Sequence, residues 1–223
     1  MPKLLIVGYG KMGRMVDGMA ADHGFEVVGR VDVDRDEWND ADVAVDFTTA
    51  GAVQANFHRY IDRRLPVVIG TTGLGEHAGE LQSRAAASGL GVVAAPNFSI
   101  GVNIFQMVVE ETARMMMAHP QYGAWIHEAH HSAKRDAPSG TALLLRDAMV
   151  EAGFTRPIDI SATRAGAIPG IHTIGFDGPS DTIELTHTAR DRRGFAAGAL
   201  LAARWVQGRT GWYTMQDVLK GTS

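Results

Sequence analysis

Apolar residues in the first hundred positions form short runs separated by stretches of helical spacing. Residues 4–7 are uniformly apolar and end in a glycine cluster; residues 11–23 then place Met12, Met15, Val16, Met19 and Ala20 on one stripe, with Gly24 as a stop. Residues 25–31, 43–47, 66–69 and 92–95 read as further strands, with helices near 52–61 and 77–87 between the later ones. Parallel strands need such crossovers, so the alternation predicts a doubly wound sheet.

The rhythm changes after Pro96. A helical pattern over residues 102–117 carries Phe105, Val108, Val109, Met115 and Met116, and its methionines fill a core stripe rather than a ligand surface. Pro120 and Gly123 punctuate before the short β-type run Ala124-Trp125-Ile126. Three more β-type stretches follow around 158–162, 171–176 and 182–188. In the last of these Ile183 and Leu185 alternate with polar neighbours, as in an open sheet with one wet face. Helical spacing returns at 195–206.

Gly8-Tyr9-Gly10-Lys11-Met12-Gly13 is a G-x-G-x-x-G placed after an apolar strand and opening an amphipathic helix. The first glycine permits the tight turn, the second lets backbone approach a pyrophosphate, and the third allows close helix–sheet packing. The helix N-terminus adds unpaired N–H groups and partial positive charge. A ribose-binding carboxylate belongs roughly 20 residues on. Asp32 fits best and Asp34 stays open; of Asp32, Asp34 and Asp36, at least two read as a solvated turn. A carboxylate favours NADH, yet Arg35 could accept a 2′-phosphate, so NADPH stays open as well. Gly70, Thr71 and Thr72 after the fourth strand, and Ala95, Pro96, Asn97 and Phe98 after the fifth, lie where ligands border an open α/β sheet; Asp46-Phe47-Thr48 is a weaker candidate in the same layer.

The 223-residue chain has a net charge of -4 and no cysteine. Length suits one large or two small domains. The charge gives no broad reason to bind nucleic acid or an anionic membrane. Lack of cysteine removes disulfides and thiolate chemistry. Without a signal-peptide pattern or a membrane-length apolar run, a cytoplasmic protein is expected.

Candidate chemistry concentrates in Glu128-Ala129-His130-His131-Ser132-Ala133-Lys134-Arg135-Asp136-Ala137-Pro138-Ser139-Gly140-Thr141. Two imidazoles and an ammonium precede a helix start at which Ser139 can cap while Gly140 and Thr141 expose backbone N–H groups, an arrangement suited to a small dianion. Reduction of an unsaturated ring also needs a proton donor, for which histidine or lysine is usual.

This segment resembles the dihydrodipicolinate reductase signature E-x-H-H-x-x-K-x-D-A-P-S-G-T-A, matched at each fixed position from Glu128 to Ala142. The likeness extends through Gly8 to Gly13, Val45-Asp46-Phe47-Thr48, Gly70-Thr71-Thr72-Gly73, Pro96-Asn97-Phe98-Ser99, Gly101-Val102-Asn103, Ile183-Glu184-Leu185-Thr186-His187 and Phe195-Ala196-Ala197-Gly198-Ala199. It implies an NADH- or NADPH-dependent oxidoreductase that reduces a cyclic dicarboxylic imine-type substrate to tetrahydrodipicolinate. His130 is then the proton donor, Lys134 a second catalytic group, and His131, Ser139, Gly140 and Thr141 are substrate contacts. Gly8, Tyr9, Gly10, Lys11, Met12, Gly13, Asp32, Gly70, Thr71, Thr72, Ala95, Pro96, Asn97 and Phe98 fall to the cofactor, and no metal is expected. The implied fold is α/β: a Rossmann-like doubly wound parallel sheet (1–98 and 193–223) plus an α+β substrate and oligomerisation domain with an open mixed sheet (99–192). A homotetramer is implied, with a homodimer as the smaller alternative, and the compact 164–171 segment bears on assembly more than on chemistry.

Two rivals use the same residues. His127-Glu128-Ala129-His130-His131 satisfies H-E-x-x-H, a zinc metalloprotease pattern, but Gly123 and Pro138 leave little helix to hold it. A regulator that senses NAD(H) without catalysis would keep the glycine turn and have no use for His130 and Lys134. His23, His58 and His119 read as surface or helix-end residues, and His172 and His187 as strand residues without assigned purpose.

Overall fold

Alternate residues of strand β1 (Lys3–Val7) enter two different cores. Leu4 and Ile6 pack with helices α1 (Lys11–Ala20) and α6 (Arg193–Val206); Leu5 and Val7 pack with α2 (Ala50–Asp62) and α3 (Gly75–Ser88). The strand is therefore apolar at successive positions because each face carries its own helices. The computed structural model describes residues 1–71 and 73–221.

Strands β2 (Glu26–Asp32), β3 (Arg35–Asp36), β4 (Val43–Asp46), β5 (Val67–Ile69), β6 (Gly91–Ala94) and β11 (Gly211–Tyr213) complete this sheet in the order β11-β6-β5-β4-β1-β2-β3. All neighbours are parallel except β2 and β3. The chain leaves β1 toward β2 and later returns to the other side of β1 at β4, which makes the β1/β4 boundary the topological switch point. Three short elements were not read from the sequence: β3, β11 and helix α7 (Met215–Lys220) with its Thr214/Asp217 capping box. Each is too short to show periodicity.

The chain divides into two compact units, Met1–Asn103 with Arg193–Ser223, and Ile104–Arg192. The first division falls inside helix α4 (Ile100–Met116) rather than at the 98/99 step the sequence suggested. Ile100 packs on the first unit's core, whereas Phe105, Val109, Ala113 and Met116 belong to the second unit's core. Val108 and Met115, expected on the buried stripe, point outward instead. The buried positions keep three- and four-residue steps, and those two fall off that line.

In the second unit β7 (Gly123–His130), β8 (Ile158–Arg164), β9 (Ile171–Asp177) and β10 (Thr182–Thr188) form a mixed sheet in the order β10-β9-β7-β8. β7 and β8 are parallel, joined through helix α5 (Gly140–Glu151), and the remaining pairs are antiparallel. Ile126, Ile174 and Phe176 meet Leu145 and Met149 of α5 on the inner face. The other face carries Trp125, His127, Ser161, Thr173 and Thr186, so the sheet has the wet face the sequence implied. β7 is longer than the predicted 124–126 run. Its extension places Glu128 and His130, two residues apart, on the inner face at one end of the sheet.

Candidate active site

The candidate nucleotide site of the first unit is built at the switch point. Gly8 takes φ +88, and a Cβ there would stand 2.7 Å from the Phe47 carbonyl carbon at the end of β4. A Cβ on Gly13 would stand 2.1 Å from the Gly8 carbonyl oxygen, whereas one on Gly10 would meet nothing within 4 Å. Two of the three glycines thus let backbone pack, and the middle one leaves open space. No side chain caps α1 at Gly10, so its first amides stay available to a phosphate. These features fit a dinucleotide, which when bound would supply hydride.

A cleft of about 540 Å³ runs from Gly8 and Gly10 past Asp32, Thr48 and Thr49 to Trp38, Asn56 and Arg59. Asp32 accepts from the Tyr9 N–H at 3.1 Å and the Val33 N–H at 2.9 Å, which fixes its carboxylate on the cleft wall; Asp34 is exposed and does not line the cleft. Lys11 is exposed, and Met12 packs on the core. Tyr9 turns its hydroxyl to Asp17, which is also gripped by Arg30 at 2.8 and 2.9 Å. Burial pushes the Asp17 carboxyl up, but the bonds from Arg30 and Tyr9 outweigh it and hold the group low. Asp17, Arg30, Trp38 and Arg59 were not legible as site residues, since a lone charged or aromatic residue on a helix or turn carries no pattern.

Gly70 packs directly on the Phe47 ring, and the Thr71 hydroxyl donates to the Thr48 carbonyl at 2.9 Å. Thr72 lies outside the described residues. Ala95 and Pro96 line a second cavity of about 260 Å³ with Thr71, Gly73 and Trp212. Asn97 accepts from the Ser99 N–H at 2.8 Å, and its carbonyl accepts from Asn103 at 2.9 Å. Phe98 is buried in the core, and its carbonyl lies against Gly198, where a Cβ would stand 1.8 Å from the oxygen. Beneath this layer, Asp46 is wholly buried and accepts from Thr48 and from the Tyr60 hydroxyl at 2.7 Å. Burial pushes its carboxyl up against these bonds.

In the second unit, Glu128 is wholly buried and collects four hydrogen bonds. Arg164 donates at 2.6 and 2.9 Å, the Ser139 N–H at 3.1 Å, and His130 meets it through Nδ1. Burial pushes the Glu128 carboxyl up, but Arg164, His130 and Ser139 together hold it below the usual carboxylate range. His172 lies edge-on to His130 with ring centroids 5.1 Å apart. Burial, reinforced by His130, drives the His172 pKa down to about 4, leaving it neutral near pH 7. The Ser139 hydroxyl receives the Ala142 N–H at 3.2 Å as the α5 cap and stands 3.2 Å from the neutral His172 Nε2, to which it can donate.

Ser139 is therefore occupied internally; Lys134, with the Gly140 N–H, helps hold the Asp136 carboxyl low, and Thr141 follows half-buried in the first turn of α5. Lys134 sits 2.8 Å from the Asp136 carboxylate, and His131 follows the strand end, half-exposed. Arg164 and His172 were missed as site residues because each arrives from a different strand. The H-E-x-x-H reading fails here. Its residues extend along a strand rather than a helix, so Glu128 points inward while His127 faces out to Ser161. Glu128, His130 and His172 do bring ligand atoms within 4.8 Å of one another. A cation among them would first have to expel the Arg164 guanidinium from Glu128.

The switch-point glycine turn beside an acidic β2 terminus, joined to a mixed-sheet unit, defines a two-unit nicotinamide-dependent oxidoreductase. Family models carry this to a particular group: "Dihydrodipicolinate reductase, N-terminus" matches residues 2–98 and "Dihydrodipicolinate reductase, C-terminus" matches residues 101–219. The chain belongs to the dihydrodipicolinate reductase family. It is 34% identical to the 4-hydroxy-tetrahydrodipicolinate reductase of Christiangramia forsetii, over 97% of each chain. Its identity to the enzyme of the same name from Archaeoglobus fulgidus is 35%, over 95% of this chain and 96% of that one. Among solved structures, dipicolinate-bound dihydrodipicolinate reductase from Paenisporosarcina sp. TG-14 superposes with a TM-score of 0.80 at 23% identity, covering 96% of this chain and 97% of that one.

Proposed function

We propose that this protein reduces 4-hydroxy-tetrahydrodipicolinate to tetrahydrodipicolinate with NADH or NADPH, a step of lysine and diaminopimelate synthesis. One hydride and one proton enter and one water leaves. The observation that carries the reading is that the signature folds into a single site: His130 and the α5 N-terminus are both anchored on the Glu128 carboxylate. His130 donates the proton through Nε2. Lys134 and the Gly140 and Thr141 amides hold the substrate carboxylates, with His131 beside them. Ser139 keeps the helix start in place. In the first unit, Gly8 to Gly13 hold the pyrophosphate, Asp32 the ribose hydroxyls, and Gly70, Thr71, Thr72 and Ala95 to Phe98 the nicotinamide side.

The protein works in the cytoplasm as a homotetramer, a homodimer being the smaller alternative, through the outer face of the mixed sheet. In support, Trp125 lies over Gly175 there, where a Cβ would stand 2.1 Å from the indole, and the Thr173 and Thr186 hydroxyls pair at 3.0 Å. Among the described residues no helix is long and apolar enough to cross a membrane.

The direct test supplies substrate with dihydrodipicolinate synthase and follows nicotinamide absorbance with each cofactor. Turnover is expected, and Lys134→Ala should lower kcat by roughly 100-fold with NADH affinity retained. Lack of turnover with both cofactors would reject the assignment.

A further inference from the structure

We propose that Glu128 and Arg164 are positioning residues that fix His130 as the Nδ1–H tautomer and present Nε2 for proton transfer. This rests on the reading of His130 as proton donor, but its central observation is independent of any ligand. A carboxylate with no exposed surface that already receives a guanidinium at both oxygens can only accept. Nδ1 of His130 must therefore carry the hydrogen in that contact, and Nε2 is the nitrogen left for chemistry.

The sheet register assembles the three residues. Glu128 and His130 share the inner face of β7 at a spacing of two, and Arg164 stands directly opposite His130 on the parallel strand β8. A further bond, from the Ser139 N–H to Glu128, ties the same carboxylate to the start of α5. On the Nε2 side the neighbour is Gly170, where a Cβ would stand 3.2 Å from Nε2; the missing side chain keeps that nitrogen uncrowded. Arg164 has its own part. Without it a buried carboxyl would tend to take up a proton and could then donate to Nδ1, reversing the tautomer.

Around this corner stand Glu128 on the His130 strand, Arg164 on β8, His172 on β9 with His187 of β10 beyond it, and the Lys134–Asp136 pair in the loop after β7. Glu128 and Arg164 offset one another, and His172 is neutral near pH 7. Replacing Glu128 by glutamine removes the carboxylate that His130 touches, so the imidazolium loses that direct counter-charge.

Glu128→Gln tests this by two readouts. In nitrogen-15 NMR of histidine-labelled protein, the wild type should show His130 with hydrogen on Nδ1 when neutral, and the variant should lose that preference. In steady-state kinetics, kcat per NADH-binding site should fall by roughly 100-fold, and the alkaline limb of the kcat/KM profile should move to lower pH. Glu128→Asp should recover part of both effects. A wild-type Nε2–H tautomer, or a variant whose kcat per binding site and pH profile match the wild type, overturns the proposal. A merely structural role would lower only the number of NADH-binding sites, which counts against it too. If the wild type shows the Nδ1–H tautomer yet does not turn over substrate, the functional assignment fails while the tautomer assignment stands.

Discussion

His172 shows how burial changes what a residue can do. As an isolated strand histidine it carries no signal, yet in the fold it stands within hydrogen-bond reach of the Ser139 hydroxyl, packs edge-on to His130 and has its pKa driven down to about 4. Because the folded value lies below the unfolded one of about 6.5, the unfolded chain binds this proton more readily. Stability is therefore complete above about pH 6.5 and is lost as pH falls toward about 4, by roughly 3 kcal/mol in total. Urea denaturation at pH 7 and pH 5 should show this loss in the wild type and a smaller one in His172→Gln, whose amide oxygen can still accept from Ser139. Glu128 contributes in the same direction at lower pH, since its depressed carboxyl stabilises the fold above the unfolded value and loses that effect on protonation. Equal pH dependence in the two proteins would mean that His172 titrates normally.

At the scale of elements, the glycine turn and the long strand β7 do most of the positioning. The approach of α1 to the turn before it leaves no room at Gly13, where a methyl would stand 2.1 Å from the Gly8 oxygen. Gly13→Ala should therefore push the turn out of shape and weaken NADH by more than about tenfold, equivalent to roughly 1.4 kcal/mol. Fluorescence titration measures this, and near-wild-type circular dichroism is expected because the second unit has its own core. Tight NADH binding by the variant would show that the turn is not the phosphate site. The glycine pattern was legible because its three positions carry separate geometric demands in consecutive residues. The full length of β7 was not, because Glu128 and His130 are polar residues facing inward, and a reading that equates inward with apolar ends the strand at Ile126.

The two units differ in how their surfaces are covered. The seven-stranded sheet is clothed by helices on both faces, whereas among the described residues the mixed sheet packs helices on its inner face alone. Its outer face, which carries Ser161, Thr173 and Thr186 with Trp125 laid over Gly175, is the surface proposed for subunit contact. Thr173→Arg would place a charge and a long side chain opposite Thr186. Light scattering after size-exclusion chromatography should then give a smaller species than the wild type, with circular dichroism unchanged. An unchanged mass would move the assembly surface elsewhere.

The linear order of residues determined what is local: strand and helix spacing, the glycine turn with Asp32 after it, and the Glu128 to Ala142 signature with Ser139 as a helix cap. Those features are decided within a few neighbours along the chain, where sterics and hydrogen bonding act over one or two turns. Only tertiary structure decided that Arg164 would neutralise Glu128 and that His172 would stay uncharged. It also decided that Trp38 and Arg59 would wall the cleft begun by Gly8. Each of those outcomes depends on sheet register or on burial, and both arise from contacts between residues far apart in sequence.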